Sequence, residues 1–163
     1  MKILVIFDSL YGNTKVVAKT IAKVLADEVI AIHDVVEKDA TELQGLLLEA
    51  ELVIFGSPTH GGRPKPAMQE FLDKIPDGFL TGKKAAAFDT RFLAKEQKLG
   101  LRVLMGAIGY AAPKILKCLE AHGAKPIKNN GDAVAGFIVQ GKKGLFRDGE
   151  LERAEAWARS LVL

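Results

Sequence analysis

The sequence lacks both a cysteine pair and a long apolar run. Its single cysteine, Cys118, cannot form a disulfide within the chain, and chains without disulfides suit a reducing compartment, so we expect a cytoplasmic location. No apolar run approaches the roughly 20 residues that a membrane-spanning helix needs, so we expect no membrane span. The N-terminal apolar run is short and no small-residue cleavage site follows it, which favours a first strand over a signal peptide.

The chain also lacks a strong excess of either charge. Lys and Arg total 23 against 20 Asp and Glu, which gives a net charge of +3. The basic residues occur in short pairs, such as Lys83-Lys84 and Lys142-Lys143, rather than in one block. Because proteins that bind nucleic acid cluster basic residues on one face, no nucleic-acid partner is expected. The histidines are His33, His60 and His122, and their separation does not match the ligand spacing of a metal site.

What the chain does have is enough apolar content, 48% of 163 residues, to form the core of one domain. Apolar runs predict strands at 2–7, 28–32, 52–56, 84–88 and 124–127, with 135–140 extending or pairing with the last of these. Helical periodicity predicts helices at 13–26, 41–50, 66–75 and 148–163, and a further helix that starts near Ala112. This alternation favours a doubly wound parallel sheet with helices on both faces. Ligands of such folds bind at the carboxyl ends of strands.

The loop after the first strand has the composition of an anion site. It consists of Ser9, Leu10, Tyr11, Gly12, Asn13 and Thr14. The N-terminus of the following helix supplies free backbone N–H groups, and Gly12 permits close backbone approach. Ser9, Asn13 and Thr14 add side-chain donors. The loop has neither the Gly-Lys-Ser/Thr ending of a P-loop nor the three spaced glycines of a dinucleotide fingerprint.

A strand followed by Ser9-Leu10-Tyr11-Gly12-Asn13-Thr14 and a helix resembles the phosphate loop of the flavodoxin family. The resemblance implies that this loop binds the phosphate of flavin mononucleotide (FMN). Tyr11 stands where many flavodoxins carry a hydroxyl residue, so its implied contribution is a backbone N–H. Ser9, Thr14 and backbone N–H groups are then expected to make most of the hydrogen bonds to the phosphate.

A second loop, Pro58-Thr59-His60-Gly61 after the third strand, is similar to the flavodoxin loop that runs beside the flavin ring. The resemblance places His60 where an aromatic residue commonly packs on that ring. An imidazole can stack in this way, and it can also titrate near neutral pH.

The loop after the fourth strand, Asp89-Thr90-Arg91-Phe92, corresponds by position to the flavodoxin loop at the pyrimidine edge of the ring. The resemblance implies that the backbone of Asp89 to Arg91 bonds this edge and that Phe92 flanks the ring. Tyr110 is an alternative for the aromatic role. A cation beside the ring stabilises its reduced anionic form, and Arg91 is the candidate for it.

As a whole, the resemblance implies a single flavodoxin-like domain over residues 1–163, with a five-stranded parallel sheet in the order 2-1-3-4-5 and helices on both faces. The implied function is an electron carrier that holds FMN non-covalently and serves redox partner proteins. The weakly basic chain favours an acidic docking face on such partners. No catalytic residue needs to be invoked.

Alternatives remain open at this stage. One is an FMN-dependent NAD(P)H:quinone-type oxidoreductase, often completed by a neighbouring subunit, and a homodimer is compatible with it. A phospho-acceptor signalling domain is disfavoured because the third strand ends in Ser57-Pro58 rather than in Asp. The apolar residues 101–108 are compatible with three roles: part of the core, a lid over the flavin, or a subunit contact. Trp157 and Cys118 are expected to pack in the core.

Overall fold

The chain folds into alternating strands and helices, as shown by a computed structural model that describes residues 1–37, 40–92, 99–100, 109–140 and 144–163. The strands in these ranges are β1 (Ile3–Phe7), β2 (Val29–Asp34), β3 (Leu52–Pro58), β4 (Lys84–Arg91), β5 (Lys125–Pro126), β6 (Val134–Gln140) and β7 (Leu145–Phe146). The helices are α1 (Asn13–Val24), α2 (Ala40–Glu49), α3 (Pro66–Asp73), α4 (Ala111–Ala121) and α5 (Glu150–Val162).

The strands form one sheet in the order β2-β1-β3-β4-β6-β7, and β5 also pairs with β4. Pairing is parallel from β2 to β6, which confirms the predicted order. The number of strands differs from the prediction, because β5 and β6 together occupy the fifth position and β7 adds an antiparallel edge. Pro126 donates no ladder hydrogen bond, and the turn-forming residues 129–132 separate the two segments.

Two apolar layers cover the sheet, one on each face. Residues of β1 alternate between them, with Leu4 and Ile6 in the layer under α2, α3 and α4, and with Ile3 and Val5 in the layer under α1 and α5. All four side chains are fully buried, and the burial of each contributes about 1.5–3 kcal/mol to the free energy of folding. A strand that is covered on both faces reads as a continuous apolar run, which is why β1 was predictable.

Helix α4 begins at Ala111 and places Pro113 in its first turn, where the missing N–H carries no cost, as predicted. Residues 101–108, for which several roles were open, lie outside the described residues. Trp157 packs edge-on against Phe88 and Phe137, as expected of a core residue. Among the helices that the structure describes, none combines the length and the apolar character that crossing a membrane requires.

Gly56 in β3 allows a close contact with β4, and we expect Gly56→Ala to destabilise the fold by at least about 1–3 kcal/mol. A Cβ at this position would lie 2.1 Å from Cζ of the buried Phe88 ring. The measurement is the free energy of unfolding in urea. Gly45→Ala is the matched control, because its added Cβ meets no described atom within 4 Å apart from its chain neighbours and the nearby backbone of its own helix. Alanine also favours a helix over glycine by about 1 kcal/mol. Equal losses in both variants would contradict the packing argument.

Candidate functional site

A cavity of about 370 Å³ opens at the carboxyl edge of the sheet, where the loops after β1, β3 and β4 meet. Its volume lies within the range of small-ligand sites. The residues that line it are Leu10, Tyr11, Asn13, Thr14, Pro58, Thr59, His60, Lys65, Thr90, Phe92, Val139 and Gly144.

The cavity brings together residues of all three loops that the sequence singled out. Ser9, Gly12, Gly61, Asp89 and Arg91 are the sequence-predicted site residues that do not line it. Ser9, Gly12 and Gly61 instead shape the loops, and Asp89 pairs with Arg91. Sequence reasoning missed Lys65, Val139 and Gly144, which also line it.

The first loop ends in a helix start with unused donors. Gly12, with a φ of +92°, precedes the first residue of α1. Ser9 Oγ accepts hydrogen bonds from the N–H groups of Gly12 at 3.1 Å and of Lys15 at 3.3 Å. The N–H groups of Asn13 and Thr14 donate to no acceptor in the described part of the chain. Free N–H groups at the positive end of the helix dipole make an anion site beside the cavity.

Hydrogen bonds tie the three loops to one another. Thr14 Oγ1 and Thr90 Oγ1 lie 2.9 Å apart in a buried contact between the start of α1 and the end of β4. The N–H of Thr59 donates to the carbonyl of Thr90 at 2.9 Å, and Thr59 Oγ1 accepts from the N–H of Ala111 at 2.9 Å. The cavity lining is therefore held together by contacts between chain segments that are distant in sequence.

The second loop closes on itself beside the cavity. His60 and Arg63 exchange backbone hydrogen bonds of 2.9 and 3.1 Å. Gly61 and Gly62 span the turn between them with φ values of +56° and +73°, a conformation that favours glycine in both positions. Gly61 thus forms the turn, which leaves the exposed His60 side chain on the cavity.

Asp89 and Arg91 form an ion pair within the protein. Nε and Nη2 of Arg91 both donate to the buried Asp89 carboxylate, the second at 2.7 Å, and the N–H of Ala112 donates to it at 2.8 Å. Burial raises the pKa of Asp89 above its usual range, and the hydrogen bonds and charge of Arg91 offset only part of this rise. From the sequence, Arg91 is the candidate cation beside the flavin ring. In the structure its positive charge is balanced by Asp89, so Arg91 is not a free cation at the cavity.

Aromatic side chains stand at the rim of the cavity. Tyr11 is 70% exposed and Phe92 is 39% exposed, and His60 is exposed beside them. Tyr110, the alternative aromatic residue, has its ring centroid 3.8 Å from the Arg91 guanidinium carbon and does not line the cavity. Unused N–H donors next to aromatic side chains fit a ligand that carries both a phosphate and a flat ring.

Known protein structures share the fold of this chain. The chain is similar in structure to oxidised flavodoxin 1 from Bacillus cereus, with a TM-score of 0.72 and 22% identity over 99% of this chain and 97% of that one. Flavodoxin 2 from the same organism is similar with a TM-score of 0.70 and 22% identity, over 99% of this chain and 98% of that one. A WrbA-like flavodoxin from Agrobacterium tumefaciens is similar with a TM-score of 0.70 and 20% identity, over 99% of this chain and 95% of that one. At these identities the likeness shows the fold.

The sequence itself carries the family assignment. The family model described as a flavodoxin domain matches residues 4–116, which is more than half of the chain. The match runs from the second residue of β1 through β4 and includes the three loops that line the cavity. The resemblance noted in the first two loops is thereby confirmed at the level of the family. The chain belongs to the flavodoxin domain family.

Proposed function

We propose that this chain binds FMN non-covalently and carries electrons between redox partner proteins. The observation that carries the proposal is the pair of unused N–H groups, at Asn13 and Thr14, beside a cavity with exposed aromatic side chains. Such groups at a helix start suit a phosphate, and aromatic side chains suit a flat ring. Membership of the flavodoxin family supports the same ligand.

The residues divide between the two parts of the ligand. Asn13 and Thr14 would hold the phosphate through their N–H groups, with the Asn13 amide as a further donor. Pro58, His60 and Phe92 would contact the ring. Bound FMN supplies the redox chemistry, and the chain binds it, orients it and limits its contact with water.

The exposed rim residues leave the ligand accessible to other proteins. Leu10 is 51% and Tyr11 is 70% exposed, and both line the cavity. Electron transfer between proteins needs the carrier's redox group to approach that of its partner, and an open rim permits this. The net charge of +3 favours a partner with an acidic face at low salt.

Steady-state kinetics separates a carrier from an FMN-dependent NAD(P)H:quinone-type reductase. We expect the FMN-loaded chain, once chemically reduced, to reduce an acidic one-electron iron–sulfur protein at a rate that falls as salt is raised. With NADPH and a quinone alone, we expect turnover no faster than that of free FMN. Turnover of about 1 per second or more, which is typical of enzymes, would favour the reductase. Failure to pass electrons to the iron–sulfur protein would contradict the carrier.

A further inference from the structure

A buried carboxylate lies one residue before the phosphate loop. Asp8 follows β1, its side chain is fully buried, and its N–H donates to the carbonyl of Gly56 at 2.9 Å. Asp8 Oδ1 accepts from Nζ of Lys65 at 2.9 Å, while Oδ2 has no hydrogen-bond partner among the described residues. A buried negative charge with one unsatisfied oxygen depends strongly on its single partner.

Lys65 is held where it can serve both Asp8 and the cavity. It lies between Pro64 and Pro66, and the following proline favours its extended backbone, with φ of −61° and ψ of 154°. Its N–H donates to Oγ of the buried Ser57 at 3.0 Å. The Lys65 side chain is 20% exposed and lines the cavity together with Asn13 and Thr14.

The charges around this end of the sheet show why Lys65 matters. Asp34, at the end of β2, pairs in register with Phe7, the residue before Asp8. Burial raises the pKa of Asp34, and the charge of Asp8 raises it further. Lys15 acts on Asp34 in the opposite direction, but it lies 3.8 Å from Glu37 in an exposed pair. Lys65 is therefore the described cation that directly balances Asp8.

A phosphate that binds at Asn13 and Thr14 would meet an unbalanced Asp8 as a like charge. At an effective dielectric constant of about 20, like charges in a partly buried site repel strongly enough to weaken binding about tenfold or more. We propose that Lys65 is a positioning residue that neutralises Asp8 and thereby allows the adjoining loop to take the phosphate of FMN, an inference that rests on the proposed function. Lys65 acts here through Asp8 and makes no required contact with the ligand.

A double-mutant cycle with two ligands tests this role. FMN and riboflavin, which lacks the phosphate, are titrated into ligand-free Asp8→Asn, Lys65→Met and the double variant, and binding is followed by flavin fluorescence. We expect Lys65→Met to weaken FMN binding about tenfold or more and riboflavin binding less than about threefold. In the double variant, FMN affinity returns to within about threefold of the wild type.

Further variants keep the test decisive if Lys65→Met fails to fold. Asp8→Asn alone leaves Lys65 as a free cation, so FMN binding should tighten while riboflavin binding stays unchanged. Lys65→Arg keeps the charge and should retain FMN affinity. Lys117→Met removes an exposed positive charge on α4, outside the cavity lining, and should alter FMN affinity less than about twofold.

Specific outcomes overturn the inference. Equal losses of FMN and riboflavin in Lys65→Met would mean that Lys65 only maintains the fold. A double variant as weak as Lys65→Met would mean that Lys65 contacts the phosphate itself. Unchanged FMN affinity in Asp8→Asn would mean that the charges of Asp8 and Lys65 do not act on the phosphate. If the wild-type chain binds FMN tightly, any of these outcomes overturns only the role of Lys65 and leaves the proposed function standing. If the wild-type chain does not bind FMN, the proposed function and the role of Lys65 are both contradicted.

Discussion

Asn13→Asp is expected to weaken FMN binding about tenfold or more without destabilising the ligand-free chain. Asn13 is the first residue of α1 and its side chain lines the cavity. The substitution keeps the shape of the side chain, removes an amide donor and places a negative charge where the phosphate would bind. The same charge at a helix start stabilises the helix by about 0.3–1 kcal/mol. Stability and ligand affinity should therefore change in opposite directions.

The control is Asn130→Asp, which makes the same chemical change in an exposed loop residue outside the cavity lining. It should leave FMN affinity unchanged within about twofold. Isothermal titration of both variants with FMN and riboflavin gives the four affinities. Asn13→Asp should spare riboflavin, because riboflavin has no phosphate. An equal effect on the affinities for both ligands, or no effect on the affinity for FMN, would contradict the proposal that the phosphate binds at the start of α1.

Arg91→Met is expected to destabilise the fold by about 3–5 kcal/mol, because it leaves the buried Asp89 carboxylate without its cation. The guanidinium lies against the Tyr110 ring on one side, and a Cβ added at Gly136 would lie 2.1 Å from Cζ of Arg91. Arg91→Lys should recover only part of the loss, since an ammonium cannot make the paired contacts of a guanidinium. At roughly 2–4 °C per kcal/mol for this chain length, Tm should fall by about 6–20 °C.

Arg159→Met is the matched control for this variant. Arg159 pairs with Glu155 at 3.5 Å, and both side chains are about half exposed, so its loss should cost at most about 1 kcal/mol. The double variant Asp89→Asn, Arg91→Met removes both charges and should be more stable than Arg91→Met alone. Thermal melts of the ligand-free proteins give these values. Equal losses at Arg91 and Arg159 would show that the buried pair contributes no more than a surface pair.

The sequence was sufficient for the parts of the fold and of the candidate site that depend on local pattern. A continuous apolar run marked β1 because both faces of that strand are covered. The loop from Ser9 to Thr14 was recognisable because a glycine, short polar side chains and a helix start lie next to each other in the chain. The placement of Pro113 in the first turn of α4 followed from the same kind of local rule.

The remaining features depend on contacts between distant segments. Arg91 and Asp89 are only two residues apart in the sequence. The Arg91 guanidinium, however, lies beside Tyr110 and Gly136 only once the sheet has folded. Val139 and Gly144 reach the cavity only because β6 aligns beside β4 and β7 turns back along β6. The sequence could have drawn attention to Lys65 as a cation at a helix start, but its partner Asp8 is 57 residues away.

Titration of the ligand-free chain with FMN and with riboflavin tests the central claim most directly. Visible absorption and flavin fluorescence report binding and stoichiometry in the same experiment. We predict one FMN per chain, a shifted visible spectrum, and an affinity for FMN at least about tenfold higher than for riboflavin, because charge-assisted hydrogen bonds to the phosphate strengthen binding. A chain that binds neither flavin, or binds both equally, would contradict the assignment of the α1 N-terminus and its cavity to FMN.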